Sequence, residues 1–326
     1  MDAPVSHTTK PVPLSVEAPD GYRLAGSLWR HRGPTSRPRP VVIVNAATSV
    51  RRRYYARFAA FLHGRGFDVI TYDYRGIGDS RPASLRGFPG GWLEWGGLDF
   101  EAMLRHAETA FPDQPVHVVG HSVGGFLVGL AESSHRIERI FTMGAQFAHW
   151  RDYRRGRRLR MLLKWHLAMP AITAALGYFP GARLGWMEDT PRGVVHDWTR
   201  RSSRFEDFWR RGPRRLSAAR RRALVERFAA VRAPILAVGV TDDPFGTEAA
   251  VRRLLAYYRG AERTHLVIPP SALGRTSVGH FAFFHERLRE ALWDIPLEWL
   301  AGGRLPPETP GEATTFPAEQ RPPGQG

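Results

Sequence analysis

Val116-His117-Val118-Val119-Gly120-His121-Ser122-Val123-Gly124-Gly125 is the stretch whose reading decides the fold of this chain. A run of β-branched residues ends in Gly-x-Ser-x-Gly, and Phe126-Leu127-Val128-Gly129-Leu130-Ala131 continues with helix-like spacing. The implied order is strand, sharp turn, helix. A serine at the apex of such a turn takes a strained backbone, its neighbours two residues away must lack bulk, and its hydroxyl is pushed out at the C-terminal edge of a sheet. Gly120 and Gly124 supply the missing bulk. The bare five-residue pattern arises by chance in glycine-rich chains, so the flanking strand and helix carry the argument.

Outward from this turn the same alternation repeats. Pro40-Val41-Val42-Ile43-Val44-Asn45 and Phe67-Asp68-Val69-Ile70-Thr71-Tyr72 read as strands buried on both faces, with helical spacing at Tyr54 to Leu62 between them. A helix near Leu98 to Phe111 precedes the central strand, and a strand at Ile137 to Met143 follows it. Further on, Pro234 to Val240 and Thr264 to Ile268 read as strands, with helices at 245–258 and Phe281 to Leu300. Near the start, Leu14 to Ala18 and Tyr22 to Trp29 alternate around Pro19-Asp20-Gly21, the pattern of an antiparallel hairpin. The whole predicts an α/β fold with a mostly parallel, doubly wound sheet.

The strand pattern lapses only after Gly144, where composition turns to Arg and Trp with short apolar pieces. Residues 146–225 are therefore expected to be a helical cap insertion into a core of residues 13–145 and 226–301. The segments 1–12 and 302–326 lack periodicity and are expected to be disordered.

The chain of 326 residues is 43% hydrophobic and contains no Cys, which excludes disulfides and thiolate metal sites. No apolar leader opens it and no apolar run spans a bilayer, so a cytoplasmic protein is expected. Its net charge of +16 is uneven: residues 146–225 hold 19 Lys and Arg against 6 Asp and Glu, or +13. Such a charge raises nucleic acid or anionic membrane as partners. The arginine runs Arg214-Arg215 and Arg220-Arg221-Arg222 lack any aromatic stacking platform, so nucleic acid is not expected. Residues 151–167 could lie as a basic amphipathic helix on anionic lipid. Lys164, His166 and Pro170 interrupt its apolar part, which favours a solvated cap face. Gly76-Ile77-Gly78 lacks the third glycine of a dinucleotide fingerprint and reads as a turn.

A serine hydroxyl needs an imidazole to take its proton and a carboxylate to fix the imidazole's tautomer. Both follow strand ends downstream: Asp242-Asp243 after Val240, and Gly279-His280-Phe281 after Ile268. The order Ser, Asp, His is the one used on this topology. His121 is expected to pack or hydrogen-bond beside the turn, and His117 to be structural.

With these pieces, the chain resembles the α/β-hydrolase superfamily, and more narrowly the bacterial group of predicted α/β hydrolases similar to S33 serine aminopeptidases. The resemblance rests on Asp73-Tyr74-Arg75-Gly76-Ile77-Gly78-Asp79-Ser80, the turn at 120–124, Thr241-Asp242-Asp243-Pro244, and Gly279 to Phe284, and covers roughly residues 12–300. It implies Ser122 as nucleophile, His280 as base and Asp243 as the orienting acid, with Asp242 its rival. Many relatives begin the loop after the third strand with His-Gly, where this chain reads Asn45-Ala46-Ala47-Thr48. In this fold the oxyanion hole takes one backbone amide from that loop and one from the residue after the nucleophile, which points to Ala47 and Val123. The expected activity is ester hydrolysis through an acyl-enzyme, without metal or cofactor, on a small-molecule acyl substrate that is anionic or lipid-like. A prolyl-type aminopeptidase and an acyltransferase are the enzyme alternatives, and a binding module on the same fold is the non-enzyme one.

Overall fold

Short runs of β-branched residues that are apolar on both faces belong in the middle of a sheet covered by helices on each side. In the computed structural model, which describes residues 10–33, 38–200 and 202–319, β1 (Val12–Glu17) and β2 (Arg23–Trp29) form the hairpin at one edge. β3 (Val41–Asn45), β4 (Asp68–Tyr72) and β5 (Val116–His121) are buried at every position. β6 (Ile137–Met143) lies beside β5. A minor pair, β7 (Tyr178–Phe179) and β8 (Thr190–Pro191), stands apart. β9 (Ile235–Val240), β10 (Arg263–Ile268) and β11 (Glu312–Phe316) complete the main sheet.

The strand order is β1-β2-β4-β3-β5-β6-β9-β10-β11, with β4, β3, β5, β6, β9 and β10 parallel. The chain leaves β3 toward β4 on one side and reaches β5 on the other. That reversal opens a crevice beyond the carboxyl ends of β3 and β5, where ligands bind in sheets of this type.

Four expectations change. Residues 302–326 are not wholly without structure, because Glu312–Phe316 pairs antiparallel with β10 in register from Arg263↔Phe316 to Val267↔Glu312. The added strand satisfies an edge that β10 would otherwise leave open. The Thr264 and Thr315 hydroxyls meet at 3.0 Å and Arg263 donates to the Pro317 carbonyl at 2.5 Å. At the other end, residues 1–9 lie outside the described residues, and Val12 already belongs to β1.

The helix expected over Phe281 to Leu300 is broken into two 3₁₀ turns and the helices Arg289–Leu292 and Asp294–Gly302. Pro296 lacks an N–H and fits the first turn of a helix, so the last helix starts just before it.

Between β6 and β9 the chain forms a helical run from Arg158 to Leu176, the β7–β8 pair, and the helices Arg192–Trp198 and Ala218–Ala230. The last of these crosses the expected boundary at residue 225. Phe228 packs on Phe126 with ring centroids 5.4 Å apart, and a Cβ on Gly129 would lie 2.3 Å from the Phe228 ring. That helix therefore packs on the helix and turn that follow β5. No helix among the described residues is long and apolar enough to cross a membrane.

Candidate active site

β5 runs straight into the turn. Ser122 follows it with φ 55° and ψ −121°, a backbone region that costs a non-glycine residue about 1–3 kcal/mol. Close packing fixes it there. A Cβ on Gly120 would lie 2.6 Å from the Cα of Gly125, and one on Gly124 would lie 2.3 Å from the carbonyl oxygen of Asn45. Asn45 at the end of β3 ties the neighbouring strand to the turn: its side chain donates to the Gly124 carbonyl at 3.2 Å and accepts from the Tyr72 hydroxyl at 2.8 Å.

The two aspartates after β9 divide their work. Asp243 is buried and its Oδ2 accepts from His280 Nδ1 at 2.6 Å, while Oδ1 accepts the Phe245 and Gly246 amides at 2.8 and 2.9 Å. Asp242 faces away from the imidazole and accepts the amides of Val278 at 2.9 Å and Gly279 at 3.0 Å. The rival carboxylate thus pins the loop that carries His280. Gly144 and Gly246 make room for the pair, since a Cβ on either would stand 2.9 or 2.7 Å from Asp243 Oδ2. Neither glycine is marked out by the sequence pattern.

His121, between Gly120 and Ser122, is fully buried. Desolvation holds its pKa well below the ordinary imidazole value, so it is neutral. Its Nε2 donates to the His280 carbonyl at 2.9 Å, which leaves Nδ1 to accept the Tyr55 hydroxyl at 2.7 Å. Tyr55, whose phenol burial pushes well above its usual pKa, in turn accepts the N–H of Ala47 at 2.8 Å. This chain of bonds corrects the expectation for Ala47. Its amide is already used, because the turn at Arg52–Tyr55 folds Tyr55 back under the loop. The next amide, that of Thr48, has no hydrogen-bond partner among the described residues. Val123 is the first residue of the helix Val123–Leu127, where N–H groups lack partners within the helix. His117 sits within β5, buried, with burial lowering its pKa to about 4.

Ser122, Val123, His280, Ala47 and Thr48 all line one cavity of about 190 Å³. Trp92, Trp165, Trp186, Trp198, Phe245 and Phe281 form much of its remaining wall, with Ser49, Val50, Gln146, Ala148 and Met187 beside them, and no Arg, Lys, Asp or Glu lines it. Trp165 stacks on Trp198 with centroids 5.1 Å apart at 18°, and Phe245 packs on His280 at 5.1 Å. The serine-bearing turn, an imidazole bonded to a buried carboxylate, and Thr48 and Val123 thus meet at one largely aromatic cavity. The residues that a motif reading misses here are Thr48, Tyr55, Gly144 and the tryptophans, since none of them belongs to a local pattern.

Solved structures share this architecture. A soluble variant of monoglyceride lipase from Saccharomyces cerevisiae, in complex with a substrate analogue, superposes with a TM-score of 0.64 at 14% identity over 92% of this chain and 98% of that one. A thermostable carboxyl esterase from Bacillus coagulans gives 0.58 at 16% identity, covering 90% of this chain and 99% of that one. A puromycin hydrolase gives 0.56 at 19% identity, covering 95% of this chain and 43% of that one. At such identities the likeness is one of fold. A search of curated proteins finds no match. Residues 41–295 match the model of the alpha/beta hydrolase family, most of the chain and all of the residues gathered around the cavity, and the chain belongs to that family.

Proposed function

We propose that this protein is a serine hydrolase that cleaves carboxylic esters through an acyl-enzyme. Ser122 Oγ attacks the ester carbonyl while His280 takes its proton. The carbonyl oxygen becomes an oxyanion and receives the N–H groups of Val123 and, in place of Ala47, Thr48. His280 then gives the proton to the departing alcohol. Water then loses a proton to His280 as it attacks the acyl carbon, and the bond to Ser122 Oγ breaks as His280 returns that proton to Oγ, which frees the acid and restores the enzyme. Asp243 holds His280 in the tautomer with Nδ1 protonated, leaving Nε2 to work as the base.

The observation that carries this reading is the 2.6 Å contact between His280 Nδ1 and Asp243 Oδ2 at the cavity that Ser122 enters. The aromatic wall supports an apolar acyl group. A prolyl-type aminopeptidase is disfavoured because recognition of a free amine calls for a carboxylate, and the lining offers none. The test is a p-nitrophenyl ester series run beside aminoacyl amides. Turnover of the esters, with the amides at least about 100-fold slower in kcat/KM, is expected. Amides cleaved faster than esters contradict the reading.

A further inference from the structure

The helical run from Arg158 to Leu176 has two apolar faces, and only one of them is used. Met161, Trp165, Met169 and Thr173 recur every four residues and are buried, Trp165 in the cavity wall. Leu159, Leu163 and Leu167, shifted by two residues to the opposite side, are exposed by 69%, 49% and 59%. Such large apolar side chains are ordinary when single, but three in a row on one helix face mark a contact surface.

The polar residues that break this stripe in the sequence do not break it in space. Lys164 is half-buried with its Nζ 4.5 and 4.0 Å from the ring centroids of Trp165 and Trp186. His166 is buried against the Tyr153 hydroxyl at 3.0 Å. Pro170 falls where the wider helical turns of Leu162–Ala168 give way to the helix Met169–Leu176, and the helical path continues through it. The outward face is left to leucine.

Charge says what covers it. Arg151, Arg154, Arg155, Arg157 and Arg160 are exposed around the start of the run, and none has a carboxylate partner among the described residues. Residues 153–187 contain no Asp or Glu at all. An unpaired row of guanidinium groups beside an exposed leucine stripe matches the layering of an anionic bilayer, phosphates outside and acyl chains within. A protein partner would need acidic groups and an apolar groove together, whereas a membrane supplies both over any area.

We propose that the outer face of residues 151–176 docks on an anionic lipid surface, with Leu159, Leu163 and Leu167 entering the acyl region and the arginines at the headgroups. The cavity behind Trp165 then draws its acyl substrate from that surface. This second half rests on the hydrolase reading, and the docking does not.

The test uses the full chain in flotation with vesicles of phosphatidylcholine alone and of phosphatidylcholine containing one third phosphatidylglycerol, at low and high salt. Binding to the anionic vesicles, weakened by salt, is expected. L159S/L163S/L167S should lower the partition coefficient at least about tenfold, because each leucine loses its burial in lipid. R155Q/R157Q/R160Q should lower it and flatten the salt dependence. Both variants should melt cooperatively like the parent and turn over p-nitrophenyl acetate in solution at the parental rate. No binding to anionic vesicles, or undiminished binding by the leucine variant, overturns the proposal. So does a dimer in sedimentation that the leucine variant disperses, since the stripe is then covered by a second copy. Absence of p-nitrophenyl acetate turnover in the parent sinks the hydrolase reading alone and leaves the vesicle result standing.

Discussion

Two regions meet at the cavity and hold their residues by different means. The turns at the ends of β5 and β9 hold theirs with backbone: Ser122 through a strained φ of 55°, Asp243 through two amides, and the His280 loop through two more amides on Asp242. Residues 146–225 hold theirs with rings, as Trp165 stacks on Trp198 and meets Trp186 at 5.6 Å. Backbone bonds fix an atom's position to within a fraction of an ångström, which proton transfer demands. Ring packing tolerates adjustment, which would suit the acyl group of the proposed ester substrate. The contrast teaches that chemistry should fail abruptly when the sheet's turns change, and that selectivity should drift when the inserted segment changes.

The largest expected effect lies at the turn after β9. Asp243→Asn should lower kcat roughly 10⁴-fold with the fold intact, since the amide no longer fixes the working tautomer. Asp242→Asn retains an oxygen acceptor for one loop amide and should cost far less. Equal losses in the two variants would mean that the two carboxylates are not divided as described.

Next comes the pH dependence of stability, to which two histidines of the sheet contribute. His117 on β5 and His265 on β10 are buried, and desolvation lowers each pKa to about 4. Below about pH 6.5 the unfolded chain binds protons that the native chain refuses until about pH 4. Stability is therefore full above pH 6.5 and is lost as pH falls toward 4, by roughly 3 kcal/mol for each of these histidines. Thermal melts at pH 7 and pH 5 of the parent and His265→Phe check it. The variant should lose less than the parent on acidification, and an equal loss in the two contradicts the account.

The smallest effect belongs to the aromatic wall. Trp165→Ala should reduce kcat/KM for long-chain p-nitrophenyl esters about 10- to 30-fold and leave the acetate ester nearly unchanged, because the lost contact is apolar burial away from the reacting atoms. An equal loss for short and long esters would place Trp165 in the chemistry and erase the distinction between the two regions.

How much of this was legible follows the same division. The buried strands announce themselves in β-branched runs, and the order Ser, Asp, His follows from residues in the loops after them, while the choice of Asp243 over Asp242 comes from the family resemblance. Contacts between distant segments leave no such trace. Nothing local in Arg52-Arg53-Tyr54-Tyr55 says that a hydroxyl will occupy the Ala47 amide and leave Thr48 open. The tail strand is silent for another reason: Glu312 to Thr315 are exposed on both faces, so no apolar alternation marks it. In the inserted segment, Lys164 and His166 interrupt the leucines in sequence but turn inward in space. Which side a residue faces there is set by partners such as Trp186 and Tyr153, not by its own run.

The central claim is that Ser122 is the atom-bearing nucleophile in a site assembled by the sheet's turns. Treating the protein with a fluorophosphonate and mapping the modified peptide by mass spectrometry tests it most directly. One phosphonyl group on Ser122, absent after Ser122→Ala and sharply reduced in His280→Ala, is the predicted result. Labelling that persists unchanged in Ser122→Ala, or that maps to another residue of the native protein, contradicts the account.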